Sequence, residues 1–174
     1  MPIVVTSAGQ SFLNLFSRLI FPMFILYMMA FLILFDDILN LFAELSGYAN
    51  REFYQDWWNA PSYEEFNRKW NRPVHLFLFK HVYQEAIMVG CSKLKARYIT
   101  FFFSAFCHEI ILAVACRMIT PYLFGMMMYQ FPLIMIQKFT HDSNLRMLGF
   151  WLTFLVGPPI LVSLYLIASN AKAD

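Results

Sequence analysis

The sequence contains too few charged residues for a protein surface that faces water on all sides. Only 14% of its 174 residues are charged, whereas 60% are hydrophobic. An average soluble domain carries roughly 25% charged residues. This shortage excludes a freely soluble globular domain and indicates an integral membrane protein. The net charge of +2 is too small, and the basic residues are too confined to one loop, to predict nucleic-acid binding.

Cysteine is also scarce, and its three occurrences follow no recognisable pattern. Cys91, Cys107 and Cys116 lack the paired spacing of a zinc knuckle or a disulfide framework, so we expect small buried apolar residues. Paired carboxylates and glycine-rich phosphate loops are missing as well, and we therefore predict neither a metal nor a bound cofactor. The N-terminus lacks the features of a cleaved signal peptide, so the first apolar run is expected to be retained.

Four apolar runs, the third of them short, predict transmembrane helices. They cover residues 12–35, 98–118, 122–137 and 147–168. A helix rises ~1.5 Å per residue, so about 20 apolar residues cross a ~30 Å hydrocarbon core. The predicted fold class is therefore all-α, a polytopic transmembrane helical bundle of about four spans. Pro22 should bend the first helix or lie near its first turn, and Asp36 and Asp37 should mark its exit from the apolar layer. The helix could continue through Ile38–Leu45 as an amphipathic stretch.

The polar loop over residues 46–97 holds the densest group of basic residues: Arg51, Arg68, Lys69, Arg72, Lys80, Lys93, Lys95 and Arg97. By the positive-inside rule, we expect a cytosolic loop. Its many aromatic residues predict short interfacial or re-entrant helices and not a disordered linker. A cytosolic position for the loop around Lys138 and Arg146 then places the N-terminus, the turn at Pro121 and the C-terminal tail on the lumenal side.

His108 and Glu109 are ionisable residues inside an otherwise apolar run. Such residues within a membrane span usually serve a function. A neutral imidazole is well suited to remove a proton from an alcohol, which predicts that His108 is a general base. Glu109 points about 100° away on a helix and is not expected to share that proton. The alternative is that both side chains hydrogen-bond to neighbouring helices and only hold the bundle together.

A second group of candidate residues lies in the loop, where aromatic rings alternate with amides and one carboxylate. Its members are Phe53, Tyr54, Asp56, Trp57, Trp58, Asn59, Trp70 and Asn71. These side chains could form a wall that holds an acyl chain and orients its head group. They could equally form an interfacial aromatic belt. His75 and His81, further along the loop, are interpreted as interfacial polar residues.

Three motifs carry a resemblance to a known family. FYQDWWN at residues 53–59, WNRPVH at residues 70–75 and CHE at residues 107–109 resemble the signature motifs of the membrane-bound O-acyltransferases, in the sterol and diacylglycerol O-acyltransferase branch. The resemblance covers the chain from about Phe21 onward, and we interpret residues 1–174 as a C-terminal part of that domain. It implies a multi-pass enzyme of the endoplasmic reticulum membrane that esterifies a lipid alcohol with acyl-CoA as co-substrate.

The resemblance also implies roles for individual residues. His108 matches the catalytic histidine of the family, which would act as general base on the acceptor hydroxyl. Asn71 matches the asparagine often paired with it, whose amide could stabilise charge on the thioester oxygen. Residues 53–59 and Trp70 would contribute to acyl-CoA binding. The family's tendency to form dimers or tetramers suggests a homo-oligomer.

The acceptor alcohol follows less directly from the motifs. Gly157–Pro159, Asp37–Asn40 and the run from Lys93 resemble the sterol enzymes, whereas Gly125–Met127 with Gln130 and Pro132 resembles the diacylglycerol enzymes. We favour esterification of a sterol 3-hydroxyl to give steryl esters for neutral-lipid storage, with triacylglycerol synthesis as the alternative. A non-catalytic membrane scaffold that binds acyl-CoA or lipid is a further alternative.

Overall fold

The computed structural model describes residues 8–173 of the chain and the side chains of residues 14–170. Within this range the regular structure is helical and contains no strand, which confirms the predicted all-α class. The α-helices are α1 (Ala8–Phe31), α2 (Leu39–Ser46), α3 (Tyr63–Lys69), α4 (Arg72–Leu78), α5 (Gln84–Met88), α6 (Lys93–Cys116), α7 (Tyr122–Gln137) and α8 (Ser143–Ala173). The predicted lumenal position of the N-terminus concerns residues 1–7, which lie outside the described residues.

The first helix continues well beyond its apolar run. A π-helical segment, Leu32–Ile38, joins α1 to α2, so helical structure extends to Ser46 as the amphipathic pattern suggested. Pro22 lies in the interior of α1 and not in its first turn. The helix ends at Gly47, whose left-handed conformation (φ 66°) lets its N–H donate to the last carbonyls of α2.

Three helical segments are long and apolar enough to cross a membrane: Asn14–Ser46, Lys93–Cys116 and Ser143–Asn170. The third predicted span, α7, has the predicted bounds and is short, as expected: its 16 residues rise only ~24 Å. This length falls short of a ~30 Å hydrocarbon core. The described residues therefore contain three helices of spanning length and one shorter helix, which agrees with a transmembrane helical bundle.

Two of the spanning helices are longer than their apolar runs. Helix α6 starts at Lys93, five residues before the predicted span, because the Ser92 hydroxyl caps it by accepting a hydrogen bond from the Lys95 N–H at 3.4 Å. Helix α8 extends beyond residues 147–168 at both ends. Basic and polar side chains near a membrane boundary can keep their polar ends in water while the backbone remains helical.

The long helices pack in the order α1, α8, α7, α6. Helix α6 also packs against residues 79–88, where a second π-helical segment, Phe79–Tyr83, continues α4 into α5. The buried hydrophobic cluster joins the end of the first helix to the loop that follows it; its members are Phe31, Phe35, Ala43, Phe53 and Trp57. The polar loop is therefore folded onto the bundle, and its short helices agree with the predicted ones.

Candidate active site

His108 lies on the exposed side of α6, about four turns after the capped start of the helix. Its Nδ1 is 2.7 Å from the Ser104 backbone oxygen, and a carbonyl oxygen can only accept a hydrogen bond. In the neutral ring, Nδ1 therefore carries the proton and Nε2 keeps its lone pair. Ala105, one turn before Glu109, is fully buried, whereas the His108 side chain is exposed. This arrangement leaves a fixed base with an accessible Nε2.

Glu109 faces the neighbouring helices. One carboxylate oxygen accepts a hydrogen bond from the Phe124 N–H at 2.7 Å, and the other accepts one from the Tyr165 hydroxyl at 3.1 Å. Phe124 lies in the first turn of α7, where backbone N–H groups lack partners within the helix. Glu109 thus caps α7 and also contacts α8. The structural alternative considered for the two ionisable residues is confirmed for Glu109.

The two loop motifs fold together into one unit, here called the aromatic loop (residues 53–71). The Gln55 N–H donates to the Lys69 oxygen at 2.9 Å, and the Arg72 N–H donates to the Phe53 oxygen at 3.0 Å. The Lys69 ammonium lies 2.9 Å from a carboxylate oxygen of Asp56 and 2.9 Å from one of Glu65. The hydrogen bond from Lys69 lowers the pKa of the Asp56 carboxyl below its ordinary value.

Aromatic packing fixes this loop to the first and last long helices. Trp57 is only 2% exposed, and its ring centroid lies 5.3 Å from Phe31, 4.9 Å from Trp70 and 5.5 Å from Phe154. Tyr27 of α1 stacks on Trp70 with centroids 5.2 Å apart. Much of the aromatic surface that the sequence offered as an acyl-chain wall is thus the internal core of the loop.

The remaining loop residues differ in how accessible they are. Phe53 is buried, and the Tyr54 hydroxyl donates to the Asp36 carboxylate at 3.2 Å at the end of the first helix. Asp56, Trp58 and Asn59 are exposed, with Trp58 at 45%. Of the residues predicted to bind acyl-CoA, these three lie on the surface, whereas Phe53 and Trp57 are buried inside the loop.

Asn71 has a structural role that the sequence interpretation missed. Its Oδ1 accepts a hydrogen bond from the Val74 N–H at 3.1 Å, so Asn71 is the N-cap of α4. The sequence contained the signal for this cap: asparagine is a preferred N-cap residue, and proline, here Pro73, is favoured in the first turn of a helix. The side-chain Nδ2 has no hydrogen-bond partner among the described residues. The capping bond fixes the amide while Nδ2 stays free to donate.

His75 lies one turn after Asn71 on the same helix. It is half-buried, its N–H donates to the Asn71 oxygen at 2.9 Å, and its ring stacks on Phe79 with centroids 6.4 Å apart. Burial, followed by the positive charges of Arg68 and Arg72, lowers the pKa of His75. The ring is therefore neutral at pH 7. Its interpretation as an interfacial polar residue stays a prediction.

The two predicted catalytic residues are not in contact. Among the side chains that the structure describes, no hydrogen bond or ring contact joins His108 to Asn71 or to the aromatic loop. Their connection is indirect, since α4 continues into residues 79–88 and these pack against α6. The relative position of the two residues is therefore set by one helical hairpin.

Comparison with known proteins gives a consistent result over nearly the whole chain. The family model for membrane-bound O-acyltransferases matches residues 6–167. The chain is 38% identical to a probable sterol O-acyltransferase 1 of Schizosaccharomyces pombe over 88% of this chain and 29% of that protein. It is 39% identical to sterol O-acyltransferase 2 of Saccharomyces cerevisiae, over 82% of this chain and 23% of that protein. It is also 39% identical to diacylglycerol O-acyltransferase 1-2 of Oryza sativa subsp. japonica, over 89% of this chain and 34% of that protein. The chain thus spans about a quarter to a third of the length of these curated relatives.

Proposed function

Because the chain belongs to the membrane-bound O-acyltransferase family, we propose that it carries the catalytic base and part of the acyl-CoA site for acyl transfer to a lipid alcohol. The observation that carries this proposal is the geometry of His108. Its Nδ1 is held by the Ser104 oxygen, and its Nε2 is free on the exposed side of a helix of spanning length. A base held in one tautomer at membrane depth suits deprotonation of an alcohol embedded in lipid.

In the proposed reaction, Nε2 of His108 removes the proton from the acceptor hydroxyl as its oxygen attacks the thioester carbonyl carbon. A new C–O bond forms, the C–S bond breaks, and the coenzyme A thiolate leaves. The imidazolium then returns the proton to the thiolate, so the products are an ester and free coenzyme A. General-base catalysis of this kind contributes roughly a hundred- to ten-thousandfold in rate.

Residues of the polar loop bind acyl-CoA in this proposal. The free Nδ2 of Asn71 donates to the carbonyl oxygen as negative charge develops on it. The exposed Trp58 and Asn59 contact the acyl-CoA beside the loop, and no further cofactor is required. The basic loop attracts the coenzyme A phosphates from the cytosol. We place the protein in the endoplasmic reticulum membrane, as a homo-oligomer, on the resemblance of its motifs.

We propose a sterol 3-hydroxyl as the acceptor. The support comes from Gly157–Pro159, Asp37–Asn40 and the run from Lys93, which resemble the sterol enzymes. Diacylglycerol is a second candidate, because Gly125–Met127 resembles the diacylglycerol branch and the identity to the rice enzyme is as high as to the yeast enzyme, 39% in both cases. Overall identity therefore does not separate the two acceptors.

The test is esterification of labelled oleoyl-CoA in microsomes, with a sterol and with diacylglycerol offered separately. The chain is assayed alone and in place of the matching segment of a full-length sterol O-acyltransferase, which gives the joined protein, each with and without His108→Ala. We expect steryl ester from the joined protein and a loss of at least ~100-fold with His108→Ala. His141→Ala is the matched control, because His141 is an exposed histidine in a loop and should leave turnover unchanged.

Three outcomes would contradict parts of this proposal. Wild-type turnover in the His108→Ala protein would exclude His108 as the base. Ester formed on diacylglycerol alone would replace the sterol assignment. Acyl-CoA binding without ester formation on either acceptor would favour the non-catalytic scaffold.

A further inference from the structure

A second site lies away from the candidate active site, at the end of the bundle where α7 stops and α8 starts. A cleft of about 270 Å³ opens there between α3, α7 and α8. Its apolar side is formed by Leu133, Ile136, Leu145 and Leu152, and its polar side includes Gln137 and Arg146. Neither His108 nor Asn71 lines this cleft. The cleft shares Tyr63 with the aromatic loop but is separate from the two residues proposed to act on the thioester and the alcohol.

Hydrogen bonds between the three helices fix the walls of the cleft. The Tyr63 N–H donates to Oε1 of Gln137 at 3.0 Å, and Nε2 of Gln137 donates to the Arg146 backbone oxygen at 3.2 Å. The Tyr63 hydroxyl donates to the Gly149 oxygen at 3.2 Å. These bonds occupy the uncharged polar groups of Gln137 and hold the cleft open. The Arg146 side chain is not part of this network.

Arg146 is a cation without a counter-ion. Its Nε is buried and has no hydrogen-bond partner, and its guanidinium forms no ion pair with the described residues. The nearby acid Glu64 lies 3.9 Å from both Arg97 and Lys138, and the Asp142 carboxylate accepts the Asn144 N–H at 2.8 Å. A partly buried guanidinium favours a bidentate anion such as phosphate.

We propose that this cleft binds an anionic glycerophospholipid, with the headgroup phosphate on Arg146 and one acyl chain along the apolar side. Ile136, Leu145 and Leu152 are 60%, 57% and 54% exposed, so the cleft is open sideways, where lipid chains surround the helices. Acyl-CoA fits less well, because its several phosphate groups would need more than one free cation. The neighbouring Arg97 and Lys138 already share Glu64.

The first experiment maps the site by photo-crosslinking. The purified chain in neutral micelles is exposed to phosphatidylglycerol or phosphatidylcholine that carries a photoreactive group on one acyl chain, and labelled peptides are identified by mass spectrometry. We expect phosphatidylglycerol to label residues 133–152 about tenfold more than phosphatidylcholine, since a charge-assisted contact contributes about that factor. Arg146→Gln should remove the difference. Arg68→Gln deletes one exposed cation on α3, the helix that contributes Tyr63 to the cleft, and should retain the difference.

A second variant fills the cleft while Arg146 remains. A Cβ atom built on Gly149, which lines the cleft, meets nothing within 4 Å, so Gly149→Leu should fold and occupy the space. Gly125→Leu is the matched control, because Gly125 is also helical and open but lies at the other end of α7. We expect Gly149→Leu to abolish labelling of residues 133–152 and Gly125→Leu to preserve it.

Four results would overturn the inference. These are equal labelling by the two lipids, unchanged preference in Arg146→Gln, loss of labelling in Gly125→Leu, and displacement of the probe by equimolar oleoyl-CoA. The last result would assign the cleft to the acyl donor.

Discussion

His108 and Glu109 are adjacent in the chain yet have separate roles, because a helix turns about 100° per residue. His108 faces outward with only the Ser104 oxygen as partner, whereas Glu109 binds groups on two other helices. The sequence and its resemblance to a family were sufficient to single out the pair. They could not identify Phe124 and Tyr165 as partners of Glu109, since these residues come close only after the helices have packed.

We expect Glu109→Ala to lower the free energy of unfolding by about 2 kcal/mol, because the Phe124 N–H and the Tyr165 hydroxyl would lose their acceptor in an apolar surrounding. Glu109→Gln keeps one acceptor oxygen and should cost about half as much. Thermal unfolding in micelles, followed by circular dichroism, measures both. The double variant Glu109→Ala with Tyr165→Phe should cost less than the sum of the single variants. Strict additivity would show that the two side chains do not interact.

Asn71 combines a cap with a candidate catalytic donor, and two substitutions separate these roles. Asn71→Ala removes both, so it should cost about 1 kcal/mol of stability as well as activity. Asn71→Ser keeps an oxygen that can accept the Val74 N–H but has no amide, so stability should be retained. In the joined enzyme, turnover should still fall by about a hundredfold if Nδ2 stabilises the developing charge. Wild-type turnover in Asn71→Ser would leave Asn71 with the cap alone.

At the level of single elements, local signals determined how well the helices were predicted. Helix α7 was predicted with its observed bounds, because Pro121 and Lys138 mark both ends within the sequence itself. The start of α6 was predicted too late, since the cap at Ser92 lies outside the apolar run. The fold of the aromatic loop could not be predicted, because Gln55 pairs with Lys69 and Phe53 with Arg72 across the short helix α3.

The Asp56–Lys69 ion pair gives the aromatic loop a predictable response to acid. The folded pKa of Asp56 is lower than its ordinary value of 3.8, mainly through the hydrogen bond from Lys69. The pair therefore contributes its full stabilisation above pH 3.8, and this is lost as the pH falls through the lowered folded pKa. Tryptophan fluorescence between pH 6 and pH 2 should show earlier loosening of the loop in the Asp56→Asn variant.

The control for the acid response is Asp37→Asn. Asp37 is also exposed and lies in the π-helical segment before the polar loop, but it has no ion-pair partner among the described residues. The Asp37→Asn protein should follow the wild-type curve, and a curve for Asp56→Asn that also follows it would contradict a contribution from the Lys69 pair.

On the scale of the whole molecule, one aromatic cluster joins parts of the chain that are distant in sequence. Rings from α1, the aromatic loop and α8 meet around Trp57, which lies 5.3 Å from Phe31 and 5.5 Å from Phe154 between ring centroids. The sequence predicted a wall or a belt of aromatic residues here but could not show which rings point inward. Because consecutive rings in a 3₁₀ turn face different directions, Trp57 is buried and Trp58 is not.

This difference between neighbouring tryptophans gives a test of how the loop is held. Trp57→Ala leaves a large cavity between the first and last helices, and a cost of about 3–5 kcal/mol is expected. Trp58→Ala removes a side chain that is 45% exposed and should cost much less, so it is the matched control. Limited proteolysis of the chain in micelles should cut residues 46–62 rapidly in Trp57→Ala and slowly in Trp58→Ala. Equal protection in both variants would show that the loop is held by its hydrogen bonds and ion pairs and not by the aromatic cluster, and the position of Asn71 would then not depend on Trp57.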